Sequence, residues 1–234
     1  MQLQLVLDFL RALAADNNKA WMDAHRPDYQ RARTEFTALT AELLRQAQST
    51  LEPALRGLSP QDVMYRLHKN DRSQRDPETY KRHMSMGLKQ GGRLSPWAGF
   101  YLALEPGGES YVGAGRWEPE PRQLAAIRQE IHYAPNTFHA LRQAPEFVRH
   151  FSAGLDQTDT LKTAPKGYDR QDPDIEWLRL KRFFVWTPFS DAEVVRPDFP
   201  ARVLAAWQAA RPFVHFLNEA VREVTLTGRD PATS

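Results

Sequence analysis

The sequence predicts an α+β fold: a single domain over residues 1–227, in which N- and C-terminal helices pack a mostly antiparallel sheet from the central region. Three observations carry this. Val6, Phe9, Leu10 and Leu13 fall at i, i+3, i+4 and i+7, the apolar stripe of an amphipathic helix. Val203, Trp207, Ala210, Val214, Leu217, Val221 and Val224 keep the same three-four step near the other end. Between them lie alternating and β-branched runs, with the turn Pro106-Gly107-Gly108 separating two of them.

Taken in order, the first helix is expected to stop near Asp16-Asn17-Asn18, whose short polar side chains compete with the helix backbone for hydrogen bonds. A second starts at Pro27, where the missing N–H costs nothing, and Tyr29, Ala32, Phe36, Leu39, Leu43 and Ala47 step down one face. Residues 62–69 alternate as a strand, with Val63, Tyr65 and Leu67 on one side and Met64, Arg66 and His68 on the other. A partner strand runs from about Tyr80 to Gly87, and Phe100–Glu105 and Ser110–Gly115 form a hairpin. Helical pattern returns at Pro121–Tyr133, Thr137–Gln143 and Pro145–Ser152. Pro165-Lys166-Gly167-Tyr168 is a turn, and Leu178–Trp186, rich in aromatic and branched residues, is a late strand. The terminal helix meets Pro212, and residues 228–234 are polar and expected to be disordered.

Composition bounds the chemistry. The 234 residues carry 31 Lys and Arg against 29 Asp and Glu, a net charge of +2, so any cationic surface must be local. Without cysteine there is no disulfide, no thiol nucleophile and no thiolate metal site. The apolar N-terminus lacks a basic leader region and is interrupted by Asp8 and Arg11, and no run approaches the ~20 apolar residues of a membrane span. A cytoplasmic protein that does not engage membranes is the expectation, and the sequence does not name its protein partners.

The densest chemistry lies in residues 63–83, where a half-buried strand runs into closely spaced basic, acidic and amide groups. Arg66, Arg72, Tyr80 and Lys81 could converge if the two strands pair, and guanidinium forks suit carboxylate or phosphate. Asp62, Asp71, Asp76 and Glu78 could equally absorb those charges in an internal ion-pair network. Gly113-Ala114-Gly115-Arg116-Trp117 permits positive φ or close backbone approach beside a cation and a large ring. It reads either as a pocket floor or as a bulge at a strand exit. Lys166, on a turn fixed by Pro and Gly, could be aimed at an anion or be simply solvated. The seven histidines show no metal-ligand spacing, and neither a serine-nucleophile elbow nor a phosphate or dinucleotide loop occurs. No metal and no cofactor is implied.

Several of these segments resemble the uncharacterised bacterial family called domain of unknown function 2461. Phe9-Leu10, Asn17-Asn18-Lys19, Trp21 and Tyr29 look like its opening. Arg66 to Lys81 is similar without gaps to its most distinctive block, matching at Arg66, Arg72, Asp76, Tyr80 and Lys81. Lys69, Asn70, Ser73, Pro77 and Thr79 depart from that block, and Asn70 stands where the family has an aspartate. Gly113–Pro119 with Leu124 and Ile127-Arg128, then Pro165–Asp169, then Arg211-Pro212-Phe213 with Phe216-Leu217-Asn218 extend the likeness from residue 3 to about residue 221. The resemblance implies no particular activity.

Three functions therefore remain open. The first is a module binding a phosphate- or carboxylate-bearing small molecule, or a nucleic-acid segment, through Arg66, Arg72, Tyr80, Lys81, Arg116, Trp117 and Lys166. The second is an enzyme with Tyr80, Lys81, Asp76 or His83 moving protons. The third is a scaffold in which the charges only hold the fold.

Overall fold

A computed structural model describes residues 1–69 and 78–227. Arg72, Asp71 and Asp76, and the tail expected at 228–234, lie outside the described residues. The fold is mixed helix and sheet. Among the described residues the strands β1 (Met84–Leu88), β2 (Gly99–Leu104), β3 (Ser110–Arg116) and β4 (Phe183–Phe189) make one antiparallel sheet in the order β1-β2-β3-β4. Contacts divide the described residues into two compact units, one of residues 1–69, 78–94, 101–112 and 188–205, the other of 95–100, 113–187 and 206–227.

In the first unit, α1 (Leu3–Ala15) buries Val6, Phe9, Leu10 and Leu13 as the stripe requires, and packs on α3 (Arg26–Thr50). The short α2 (Lys19–Ala24) was not foreseen, although its signal was present: Asn18 accepts a hydrogen bond from the Trp21 N–H as the N-cap. Pro27 sits in the first turn of α3, which buries Phe36, Leu39, Leu43 and Ala47.

The strand expected at 62–69 is corrected. Ser59 and Asp62 form a capping box around Pro60, which winds Pro60–Val63 into α4. Local capping wins over alternation there. Between Met64 and His68 the backbone is held by the isolated bridges Met64 to Met86 and His68 to Tyr80, and no continuous ladder forms among the described residues. The partner strand accordingly begins at Met84, later than expected.

The hairpin of β2 and β3 turns through Gly107 and Gly108 at φ 91° and 81°. Both N–H groups donate to the Asp191 carboxylate, at 3.0–3.1 Å, which also pairs with Arg11. Asp191 opens α9 (Asp191–Val194), and the first turns of α10 (Phe199–Thr227) complete this unit.

In the second unit, α5 (Pro121–Tyr133), α6 (Pro135–Gln143) and α7 (Pro145–His150) each open on a proline, which tolerates the first turn and divides one helical stretch into three. The expected strand at 178–186 starts late, because α8 (Ile175–Leu178) occupies its first residue and β4 begins only at Phe183. The turn before α8 is set by Asp172, whose carboxylate accepts the Asp174 N–H. The core is aromatic: Phe138 meets Trp177 and Phe216, Phe147 meets Phe213, and Trp207 lies against Phe100 of β2. The Asn218 side chain of α10 pairs with both main-chain groups of Ala98. α10 continues through Pro212 to Thr227. Among the described residues no helix is long and apolar enough to cross a membrane.

Candidate functional site

In the first unit, Tyr29, Arg33, Phe36 and Thr37 share one face of α3, spaced so that successive turns present them together. The extended residues Met64–His68 run opposite them, and a cleft of about 470 Å3 opens between. Its described lining includes Arg33, Arg66 and Arg93 and no aspartate or glutamate. Arg33 and Arg66 are exposed, and neither makes an ion pair or side-chain hydrogen bond among the described residues. Arg93 is partly committed: its guanidinium donates to the Gln61 carbonyl at 2.6 Å and its N–H to the Asp62 carbonyl at 3.0 Å, tying it to α4. Tyr65 donates its hydroxyl to the Arg93 carbonyl at 3.3 Å. Its ring occupies space that a Cβ at Gly87 would invade, 2.8 Å from the Tyr65 hydroxyl. Glycine at 87 is thus what admits a tyrosine at this wall.

Beside the cleft, the paired segments bring Lys81 to Tyr65. The Lys81 N–H donates to Leu67, and Nζ stands 5.6 Å from the Tyr65 ring centroid. Burial holds the Lys81 ammonium below the usual lysine range. The acids of the block go elsewhere. Glu78 takes Lys69 at 3.2 Å and Arg82 at 2.7 Å, and those partners, Arg82 foremost, hold its carboxyl low. An ion-pair network around Glu78 and an arginine without a carboxylate partner among the described residues, Arg66, therefore coexist in the one stretch.

His83 lies 3.4 Å from Glu105. Burial, with Lys81 and Lys69 adding repulsion, lowers its pKa from 6.5 to about 4. Between those values the unfolded chain takes up a proton that the folded chain refuses. The stability that neutral His83 supports is complete above pH 6.5 and is lost as the pH falls toward 4. Burial and then Glu109 raise the Glu105 carboxyl, which acts in the opposite sense. We expect His83→Asn to flatten the fall of the urea midpoint on acidification through this window, and an unchanged profile would refute that role.

The other sequence-derived candidates are placed as follows. Tyr80 is held by its backbone, its N–H donating to the side-chain Oδ1 of Asn17 and its own carbonyl accepting from the side-chain Nδ2 of Asn17, both at 2.9 Å. Its ring meets His68 edge-on. Arg116, Trp117 and Lys166 belong to the second unit. Gly115 adopts φ 118° one residue before β3 ends. The Arg116 Nε is buried without a hydrogen-bond partner among the described residues. Trp117 is 41% exposed, with the Arg182 guanidinium 4.0 Å from its ring centroid and Phe184 edge-on. Lys166 is exposed on the turn closed by the Tyr168 N–H to the Pro165 carbonyl. Among the described residues no three His, Asp or Glu side chains are placed to hold a metal.

Sequence reasoning missed Arg33 and Arg93. Arg33 could have been found, because it lies one turn beyond Tyr29 on α3. Arg93 follows β1 in a loop with no motif around it.

Fold and cleft together define an α+β protein with a cationic, aromatic-walled cleft in its first unit. The sequence model of a family described as conserved hypothetical protein (DUF2461) matches residues 5–216, and the chain belongs to that family. Comparison with curated proteins and with solved structures gives no match.

Proposed function

We propose that the protein binds a small anionic ligand, bearing phosphate or carboxylate, in the cleft between α3 and residues 64–68. The observation that carries this reading is the convergence of Arg33, Arg66 and Arg93 on a cleft without a carboxylate in its described lining. Exposed guanidiniums held near one another repel, and an anion placed among them relieves that repulsion while accepting forked hydrogen bonds. Lys81, half-buried beside Tyr65, adds positive potential from behind the wall. Of the sequence-derived residues, this reading uses Arg66 and Lys81 and leaves Arg116, Trp117 and Lys166 outside the cleft.

The test is calorimetric titration of the protein with inorganic phosphate and simple carboxylates. Hydrogen bonds to a charged group contribute about 1.5–3 kcal/mol each. Arg66→Ala should therefore raise Kd about tenfold or more. Because Arg66 is exposed and unpaired among the described residues, the same change should leave stability within about 0.5 kcal/mol. Lost stability with unchanged binding would return the residue to a structural role. A nucleic-acid ligand would instead announce itself by a steep loss of affinity with added salt.

A second reading is favoured by the depressed Lys81 and His83, which sit beside the cleft's Tyr65 wall and in the adjoining pair with Glu105. Perturbed bases next to an anion site are what proton-transfer chemistry uses. In that case the ligand is a substrate, and Lys81→Met would lower turnover far more than it weakens binding.

A further inference from the structure

We infer that the ligand of this cleft is an organic anion with an apolar body, an inference that rests on the anion-binding reading above. The residues lining the cleft are of two kinds. Arg33 and Arg66, at its surface, are exposed, while Phe36, Leu67 and Met84 in its lining are buried. A bare anion gains nothing from the apolar part, because charge without hydrogen-bond partners is costly to bring there. A ligand with a charged head and an apolar body satisfies both kinds of lining at once.

Size points the same way. At about 470 Å3 the cleft has space for about fifteen waters at their liquid share of roughly 30 Å3, far more than an inorganic oxyanion fills. It lies in the range that encloses organic ligands. The wall chemistry agrees. The Thr37 hydroxyl donates to the Arg33 carbonyl at 2.7 Å and also faces the Met64 sulfur at 3.7 Å, so its polar group is already engaged. Tyr29 and Tyr65 supply rings, and the Tyr65 hydroxyl is bonded to Arg93. Besides the guanidiniums and the exposed Gln61 and His68, what the lining offers a ligand is ring, thioether and alkyl surface.

The experiment compares inorganic phosphate with phenyl phosphate by calorimetry, using the full chain, Arg66→Ala and Met64→Gln. Phenyl phosphate is expected to bind at least tenfold more tightly than phosphate. Met64→Gln, at a half-buried position of the wall, should cut that preference to less than threefold. Arg66→Ala should weaken both probes. Equal affinities for the two probes would overturn this inference and leave the anion site standing, as would a preference that survives Met64→Gln intact. Absence of binding by either probe, or binding indifferent to Arg66→Ala, would overturn both readings together.

Discussion

Replacing Trp207 by alanine should lower stability by about 3–5 kcal/mol, the cost of removing a large buried ring and leaving its cavity behind. Trp207 is 0% exposed on α10 and lies 6.1 Å, centroid to centroid, from Phe100 on β2. It thus ties the terminal helix to the sheet within the second unit. A long helix has little stability of its own without the face it buries, so the loss is not confined to one contact. For a chain of this size each kcal/mol moves Tm by roughly 2–4 °C, and a fall of about 6–20 °C is expected by calorimetric melting. A change of less than 2 °C would mean that the core repacks around the gap. Trp207→Phe, which keeps most of the ring, should recover the larger part.

Gly115→Ala should cost about 3 kcal/mol or more, for two reasons that can be separated. At φ 118° a side chain is strained whatever the space around it, an effect of about 1–3 kcal/mol. The added Cβ would also stand 2.1 Å from the Phe183 carbonyl oxygen and 3.1 Å from the Phe184 Cα. These are backbone atoms of the neighbouring strand and cannot swing aside, so β3 and β4 would have to part there. Gly154→Ala isolates the first cause, because Gly154 has φ 72° and no atom within 4 Å of its virtual Cβ. It should cost about 1–2 kcal/mol. Urea midpoints that fall equally for the two variants would show that the strand contact is more yielding than its geometry indicates.

These residues illustrate how the sequence can be read and where reading stops. Periodicity places buried faces well: the stripes of α1, α3 and α10 are buried along their predicted lines, since an apolar face must leave water whatever it meets. The glycine-marked hairpin and strand exit were legible for a related reason, as Gly107, Gly108 and Gly115 all adopt positive φ. The errors arose where two local signals compete. Alternation at 62–69 suggested a strand, yet the Ser59-Asp62 box wound its first residues into a helix. Aromatic and branched residues at 178–186 suggested a strand, yet the turn at Asp172–Asp174 carried a helix into its beginning.

The candidate site divides along the same line. By itself the sequence determined the mixed fold, the membership in the family, and the concentration of cations near Arg66 and Lys81. Only the tertiary structure decided which cations keep a carboxylate and which do not. Glu78 is as close in sequence to Lys81 as to Arg82, give or take one residue, but it pairs with Lys69 and Arg82. Arg33, Arg66 and Arg93 are separated by some thirty residues each and share no pattern, yet one face of α3, one extended segment and one loop bring them to the same cleft. The physical reason is that periodicity records whether a face is buried, which is a property of the chain's own geometry. What it is buried against, and which charges then come within a few ångströms of one another, depends on packing between elements distant in sequence.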